Sequence, residues 1–445
     1  MQTPPLDKQT PLPVPLGTAF RYWLKLGLIS FGGPAGQIAM MHAELVEKRR
    51  WISERRFLHA LNYCMVLPGP EAQQLATYIG WLMHRTWGGI IAGGLFVLPS
   101  LVILIALSWI YMAYGQVPAV AGVLYGIKPA VTAIVLHAAW RIGSRSLKNA
   151  WLWAITGAAF LVIYAFDVPF PAIVIGAGLL GMLGGRFLPG KFAIGGGHRA
   201  GKASYGPALI DDDTPTPAHA RYSRARLLRL AAVFLALWVA AYALASRVPV
   251  LADMGTFFTK AALLTFGGAY AVLPYVFQGA VEHYHWLTAA QMMDGLALGE
   301  TTPGPLIMIV AFVGFVGGWN QHLFGGNLFL AGAAGAAVAT FFTFLPSFLF
   351  ILVGGPLVES THGDLRFTAP LTAISAAVVG VILNLALFFA WHVFLPRGTA
   401  GGVEWFSLAL GAGAGLALFR YKVGMIALIL ACGAIGLAWT LSPWH

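Results

Sequence analysis

The sequence contains little charge. Only 10% of its 445 residues are Asp, Glu, Lys or Arg, whereas 58% are hydrophobic, and an ordinary soluble domain carries about a quarter charged residues. Apolar runs of about 20 residues, the length that crosses the hydrocarbon core of a bilayer, recur along nearly the whole chain. This distribution excludes a soluble catalytic domain of useful size. Because lipid cannot hydrogen-bond to the backbone, the spanning segments must be helical.

Cysteines and enzyme motifs are also scarce. Cys64 and Cys432 are the two cysteines, too few and too far apart for a disulfide framework or a zinc site. The sequence has no Walker A motif, no GxSxG, no HExxH and no dinucleotide fingerprint. The proline-rich N-terminus lacks the apolar region of a cleaved signal peptide. We therefore expect no catalytic residue, no metal site and no cofactor.

Positive charge is in excess, with a formal net charge of +11. The Lys and Arg residues lie in short loops between apolar segments, where they determine membrane topology. The bilayer is thus the expected partner, and nucleic acid is not.

The chain contains an internal repeat. A shift of 235 residues places Lys25 on Lys260, and the FGG of 31–33 and the PGP of 68–70 fall on the FGG of 266–268 and the PGP of 303–305. After an insertion, the Leu-Pro-Ser triplet 98–100 also finds a counterpart at 345–347. Chance does not place two Gly/Pro tripeptides at one spacing, so we predict a duplication. The predicted units are a cytoplasmic tail (1–16), a first repeat (17–186), a cytoplasmic linker (187–226), an inverting helix (227–246) and a second repeat (252–441).

The loop charges predict that the halves are inverted. The stretch after the first FGG carries Lys48, Arg49, Arg50, Arg55 and Arg56, whereas its counterpart at 281–292 has no Lys or Arg. By the positive-inside rule the first loop is cytoplasmic, as is the N-terminus, and the second is external. The helix at 227–246 has no repeat partner and supplies the extra crossing. The predicted fold is an all-α polytopic membrane protein with two inverted-topology repeats.

The FGG and PGP segments are predicted to be broken or re-entrant helices. The loops at 42–57 and 84–85 both carry cytoplasmic signals, so the PGP segment between them is not expected to cross. Proline removes a backbone donor and glycine weakens a helix. Segments interrupted by Gly or Pro at matching positions of two halves point to a transporter's binding site.

Three lysines are candidate anion ligands. Lys25 and Lys260 each stand six residues before an FGG phenylalanine, so an inverted two-fold axis would bring them toward one midplane site. Two ammonium groups and two helix N-termini, each about half a charge, suit a dianion. Alternatively, Lys25 extends to the cytoplasmic surface. Lys128 is isolated in an apolar segment, where it either attracts the anion or pairs with a carboxylate.

Carboxylates and small polar residues flank the breaks. Glu71 and Glu300 are not repeat equivalents, and each could couple proton movement to transport or balance a lysine. The predicted substrate-binding residues are Lys25, Gly32, Gly33, Gln37, Gly69, Gln73, Gln74, Lys128, Lys260, Gly267, Gly268, Thr301, Thr302 and Gly304.

Four motifs resemble those of a known family. FGGPAGQIAMMHAELVEKRRW, LPGPEAQQLATYIGW, TFGGAYAVLPYV and LGETTPGPLIMIVAFVGF closely resemble the signatures of the CHR family of chromate ion transporters in its two-domain form. The resemblance implies export of chromate across the bacterial inner membrane, with sulfate as a related oxyanion. It places functional weight on Phe31, Gly32, Gly33, Gln37, Pro68, Gly69, Pro70, Glu71, Gln73, Gln74, Gly267, Gly268, Glu300, Thr301, Thr302, Pro303 and Gly304.

The expected mechanism is secondary transport by alternating access, in which the halves rock around a midplane site. A transporter of sulfate or another anion is the nearest alternative, because chromate and sulfate are both tetrahedral dianions. A channel and a membrane-embedded enzyme using Glu71 or Glu300 as base are more distant alternatives. The interpretation also allows for a homodimer.

Cysteines introduced near residues 50 and 285 test the inversion. Because the two loops differ in positive charge, a membrane-impermeant thiol reagent should label them from opposite sides of the membrane. Labelling of both from the same side would refute the inverted topology.

Overall fold

The computed structural model describes residues 11–31, 33–192, 205–215, 217–266, 268–360, 368–398 and 401–442. Within these ranges the regular structure is helical, as the composition predicts. The helices are α1 (Leu16–Ile29), α2 (Gly33–His42), α3 (Glu54–Cys64), α4 (Glu71–Tyr114), α5 (Pro118–Ser146), α6 (Ala150–Phe166), α7 (Phe170–Phe187), α8 (Pro189–Phe192), α9 (Arg224–Ala245), α10 (Pro249–Leu264), α11 (Leu273–Phe277), α12 (Ala289–Thr301), α13 (Ile309–Asn320), α14 (Leu328–Ser360), α15 (Thr368–Phe394), α16 (Trp405–Phe419) and α17 (Met425–Thr440).

Several of these helices are long and apolar enough to cross a bilayer. In the described part of the chain, six meet both conditions by length and composition, and they lie within α4, α5, α7, α9, α14 and α15. Four shorter apolar helices accompany them. The protein is therefore a polytopic α-helical membrane protein.

The helices are interrupted at the FGG and PGP motifs. The apolar segment 17–41 divides into α1 and α2 at the first FGG, and the segment 289–318 divides into α12 and α13 at the second PGP. Helix α4 is also interrupted, because His84 and Arg85 have non-helical dihedral angles (φ −134° and +58°). The piece from Glu71 to the interruption is about 20 Å long at 1.5 Å per residue, shorter than a hydrocarbon core of about 30 Å.

The segments related by the 235-residue shift have matching backbones at residues 43–51 and 278–286. A π-helix spans Ala43–Lys48 in the first and Gln278–His283 in the second. After each, one residue adopts a positive φ, 51° at Arg50 and 50° at His285. In each case the next N–H donates across six residues over 2.8 Å, from Trp51 to the Leu45 carbonyl and from Trp286 to the Ala280 carbonyl. The FGG and PGP tripeptides alone do not predict these π-helices, positive φ values or hydrogen bonds.

Two groups of helices pack around the broken segments. Helix α14 packs against α4, α10 and α13, and α5 packs against α15, α16 and α17. Helix α9, the predicted inverting segment, is exposed over most of its surface and contacts α10 and α14. Its Trp238 indole N–H donates to the Thr259 hydroxyl over 3.0 Å.

Part of the central linker packs on the first half. The Ser53 N–H donates to the Ile210 carbonyl over 2.9 Å, and the Ile210 N–H donates to the Trp51 carbonyl over 3.1 Å. Arg56 donates to the Thr214 carbonyl. The polar composition of 187–226 predicted a solvated linker, but a polar segment can also pair its backbone with a loop. Residues 193–204 and 216 lie outside the described residues.

Farther along the linker, His219 contacts Trp81 of α4. Burial lowers the pKa of His219 below its ordinary value, so the imidazole is neutral at pH 7. Its Nε2 lies 2.9 Å from the Trp81 carbonyl oxygen. That nitrogen must therefore carry the proton and donate.

Replacing Gly126 tests the packing of α5 on α17. A Cβ at Gly126 would lie 2.1 Å from the Cys432 carbonyl oxygen and 2.7 Å from the Gly436 Cα, so the backbones are in direct contact. Gly126→Ala should lower stability by about 1–3 kcal/mol through overpacking, measured as a lower midpoint of thermal unfolding in detergent. Gly157→Ala on α6 is the control, because no atom lies within 4 Å of its Cβ position. Equal midpoints for both variants would contradict this packing.

Candidate functional site

The PGP glycine of each half is hydrogen-bonded to the other half. The Gly69 N–H donates to the Thr265 carbonyl over 2.8 Å, and the Gly304 N–H donates to the Ser30 carbonyl over 2.9 Å. Ser30 and Thr265 are repeat equivalents, as are Gly69 and Gly304. Because proline has no N–H, each glycine carries the single backbone donor of its tripeptide. The two crossed bonds therefore join the four breaks in two pairs, each with one break from each half. These two junctions are together called the crossing.

The accepting carbonyls are available because α1 and α10 end just before them. The Ser30 hydroxyl donates to the Leu26 carbonyl, and the Thr265 hydroxyl donates to the Ala261 carbonyl over 2.7 Å. Each side chain thus satisfies a carbonyl in the last turn of its helix. The carbonyls of Ser30 and Thr265 themselves point beyond the helix and accept from the opposite half.

Glycine is required at both PGP positions. Gly69 has a φ of 124° and Gly304 a φ of 103°, a region that residues with a Cβ rarely adopt. A Cβ at Gly69 would lie 2.6 Å from the Ser347 Oγ, and one at Gly304 would lie 2.8 Å from the Ser100 Cβ. The Leu-Pro-Ser serine of each half therefore contacts the PGP glycine of the other. The repeat alignment paired these two serines, but they are not among the predicted substrate-binding residues.

Buried polar atoms without partners gather at the crossing. The hydroxyls of Ser100 and Ser347 are buried and have no hydrogen-bond partner among the described residues. The same holds for the side-chain carbonyl oxygens of Gln37, Gln73 and Gln74. Burying such a group without a partner costs about 1–3 kcal/mol. Five of them mark the place where a polar solute would regain hydrogen bonds.

Two of the three predicted glutamines hold the broken backbone. Gln37 donates to the Gly304 carbonyl over 2.6 Å and to the Ser30 carbonyl over 3.1 Å, so it reaches both halves. Gln74 donates to the Pro68 carbonyl over 2.8 Å. Gln73 donates instead to the Thr77 hydroxyl of its own helix over 3.0 Å. Gln37 and Gln74 thus lie at the crossing, and Gln73 lies beside Gln74 on α4.

The FGG glycines lie beside open space. Gly33 and Gly268 have φ values of 73° and 101°, and no atom lies within 4 Å of the Cβ position of either. Gly33 begins α2, whose N-terminus carries a partial positive charge. Gly32 and Gly267 lie outside the described residues.

The acidic residues beside the breaks have different surroundings. Glu300 is buried and accepts a hydrogen bond from the Tyr270 hydroxyl, and the Arg141 guanidinium lies 5.6 Å from the centre of the Tyr270 ring. Glu71 is the half-buried first residue of α4. The hydroxyls of Thr301 and Thr302 donate to carbonyls of their own helix over 2.9 and 3.0 Å and so terminate α12.

The three lysines do not gather at the crossing. Lys25 and Lys260 are exposed, on the sides of α1 and α10 away from their buried residues. Lys128 Nζ lies 3.8 Å from the Asp294 carboxylate, which also accepts a hydrogen bond from the Tyr111 hydroxyl over 2.9 Å. This favours the second interpretation of Lys128, pairing with a carboxylate. Asp294 is a site residue that the sequence-based prediction missed, although it is the one acidic residue within 289–299.

One apolar cavity lies away from the crossing. Its volume is about 610 Å³, and it is a groove along α6 and α7 that includes Trp151, Leu180 and Phe187. An apolar groove offers an anion no hydrogen-bond donors. Within the described ranges, no three His, Cys, Asp or Glu side chains are grouped to hold a metal ion. The crossing, with its buried polar groups, is the candidate site.

A protein-family model described as Chromate transporter matches the chain twice, at residues 17–182 and 252–437. The chain is 33% identical to a chromate transport protein of Pseudomonas aeruginosa over 450 residues, 97% of this chain and 94% of that protein. It is 31% identical over 385 residues to a chromate transport protein of Cupriavidus metallidurans (85% and 84% of the two chains). It is 29% identical over 363 residues to a probable chromate transport protein of Synechococcus elongatus (81% of each). No solved structure matches it.

Alanine at the two PGP glycines tests the crossing. Gly69→Ala and Gly304→Ala should each lower stability by about 1–3 kcal/mol because of the positive φ. Gly304→Ala should be the more damaging, since its methyl group meets the Ser100 Cβ, whereas the methyl group of Gly69→Ala meets the Ser347 hydroxyl and the Gln74 amide, the ends of two side chains that can turn away. Thermal unfolding measures both variants against Gly94→Ala, whose Cβ position is open. Stabilities equal to that control would show that the crossing does not form.

Proposed function

The chain belongs to the chromate transporter family, and we propose that it exports chromate across the bacterial inner membrane by secondary active transport. The crossed hydrogen bonds of Gly69 and Gly304 carry this proposal. They join the breaks of one half to those of the other. Buried polar atoms without hydrogen-bond partners among the described residues lie beside these breaks. Interrupted helices at matching positions of two halves are where transporters bind their substrates.

The polar groups at the crossing suit a tetrahedral oxyanion. Ser100 and Ser347 carry hydroxyls that can donate, one from each half. A glutamine NH₂ group carries two hydrogens, and those of Gln73 and Gln74 each donate one hydrogen bond within the protein, which leaves a second hydrogen for an anion, whereas Gln37 uses both to hold the Ser30 and Gly304 carbonyls. Neutral hydrogen-bond donors can contact the oxygens of the anion without transferring a proton to any of them.

Positive charge for the anion would come from several sources. The N-terminus of α2 begins at Gly33, beside open space, and Lys128 on α5 lies outside the crossing, beside Asp294. Gly32 and Gly267, which lie outside the described residues, remain proposed substrate-binding residues on the basis of their motifs. Lys25 and Lys260, which are exposed, would attract the anion toward the breaks rather than contact it.

Alternating access is the mechanism that the repeated backbone supports. The paired π-helices, the paired positive-φ residues and the crossed bonds give the two halves the same local structure. In an inverted arrangement, the state open to one side can be converted into the state open to the other by exchanging the conformations of the halves. The family model also matches each half separately. In this proposal the N-terminus lies in the cytoplasm, as the positive-inside rule predicts from the loop charges.

Coupling is assigned to the acidic residues. Glu300, hydrogen-bonded by Tyr270 and near Arg141, and Glu71, at the start of α4, are placed to exchange protons as the site opens and closes. The driving force would be the membrane potential, proton antiport or exchange with another anion. A homodimer fits the proposal, since α6 and α7 expose an apolar groove.

Transport of sulfate or another inorganic anion is the second candidate. Hydroxyls and amides contact oxygens and cannot separate two tetrahedral dianions sharply. Expression in a chromate-sensitive host distinguishes the candidates, because an exporter lowers cell chromate and an importer raises it.

Anion flux into proteoliposomes tests the site directly. Ser100→Ala and Ser347→Ala should each raise the half-saturating chromate concentration about tenfold, because a hydrogen bond to a charged group contributes about 1.5 kcal/mol. Sulfate should compete with chromate in the wild type.

Ser108→Ala is the matched control, since Ser108 also lies on α4 and its hydroxyl is buried without a partner among the described residues. Its flux should equal that of the wild type. If all three serine variants behave alike, the crossing is not the binding site.

A further inference from the structure

Asp294, Lys128 and Tyr111 form a cluster on three helices around the buried Asp294 carboxylate. The Asp294 Oδ2 lies 3.8 Å from Lys128 Nζ on α5 and 2.9 Å from the Tyr111 hydroxyl on α4. The side chain of Asp294 is 4% exposed. Its other oxygen, Oδ1, is buried and has no hydrogen-bond partner in the described part of the chain.

The position of Asp294 connects this cluster to the crossing. Asp294 lies on α12, two helical turns before Thr301, where α12 ends at the second PGP break. If the second PGP break moves, the C-terminal end of α12 moves with it, and α12 carries Asp294. The cluster is therefore placed to respond when the site opens or closes.

The carboxylate neutralises the lysine that is expected to attract the anion. With Asp294 beside it, Lys128 presents a pair of no net charge, and a dianion approaching the ammonium is repelled by the carboxylate. The 3.8 Å separation is longer than a direct hydrogen bond, and the Lys128 side chain is 29% exposed. The Lys128 ammonium group is therefore not fixed to the carboxylate, and it can turn toward a solute.

We propose that Asp294 competes with the transported anion for Lys128, so that the lysine alternates between the carboxylate and the solute during transport. This inference rests on the proposed function. Asp294 acts as a positioning residue: it acts through Lys128 and limits how tightly the anion is held. Tyr111 holds the carboxylate in place and weakens its hold on the lysine by sharing the same oxygen.

The repeat does not generate a second copy of this cluster. The repeat counterpart of Asp294 is His59, and that of Lys128 is Ala369, so the equivalent positions cannot form an Asp–Lys pair. A competitor without a repeat equivalent gives the two orientations of the transporter different affinities for the same anion. A purely structural ion pair would have no such effect.

Asp294→Asn tests the competition. It keeps the size of the side chain and an acceptor for Tyr111, but leaves Lys128 free for the anion. In proteoliposomes the KM for chromate should fall about fivefold or more, a typical coupling between two sites, and kcat should fall as release slows. Lys128→Gln should raise KM, and the double variant should match Lys128→Gln.

The control is Glu404→Gln, which removes another carboxylate that accepts from a tyrosine of α5, Tyr125, over 2.8 Å. Its KM should equal that of the wild type. An unchanged or raised KM in Asp294→Asn, or a double variant with wild-type KM, would overturn the inference.

Tyr111→Phe provides a second measurement if Asp294→Asn does not fold. Without the tyrosine, the carboxylate should hold Lys128 more strongly, so KM should rise. The same change in a Lys128→Gln background should have no effect on KM. An unchanged KM in Tyr111→Phe alone would also overturn the inference. If the wild type carries neither chromate nor sulfate, the proposed function fails instead, which the wild-type arm shows separately.

Discussion

The crossed hydrogen bonds between the PGP glycines and the opposite half are the interaction on which the structure depends. In a bilayer, a backbone group that leaves a helix must find a partner within the protein. In each PGP tripeptide only the glycine has an N–H, and in each case the partner is a carbonyl at the end of a helix of the other half. Neither half can therefore break its helices alone. The duplication allows the interruptions because each copy satisfies the other.

The sequence predicted the breaks but not their contacts. Glycine and proline at fixed spacing mark where a helix must stop, and this local rule correctly placed the ends of α1, α10 and α12. Which carbonyl accepts from Gly69 depends on tertiary packing, which no spacing encodes. The Leu-Pro-Ser serines were aligned as a third repeated triplet, but their role became visible only when each was found against the opposite glycine. Asp294 went unnoticed because a single carboxylate carries no pattern.

The lysines show what repeat equivalence alone does not determine. Lys25 and Lys260 occupy equivalent positions, which suggested that both reach the centre. A helix turns about 100° per residue, so Lys25, five residues before Ser30, lies about 140° around α1 from it. Ser30 faces the crossing, and Lys25 therefore faces outward. Equivalence of sequence positions places two residues symmetrically, but the helical period determines whether they face the site.

The two halves have similar backbones, whereas their charged residues differ. Equivalent backbones give the two halves conformations of similar energy, as alternating access requires. The ion pair of Lys128 with Asp294, the contact of Tyr270 with Glu300, and the packing of the linker on Trp51 and Ser53 have no repeat equivalents among the described residues. A ligand shifts an equilibrium only by its different affinities for the two states. When the backbones are similar but the charged residues differ, the two states can bind the same anion with different affinities. Such a protein could then bind an anion on one side of the membrane and release it on the other.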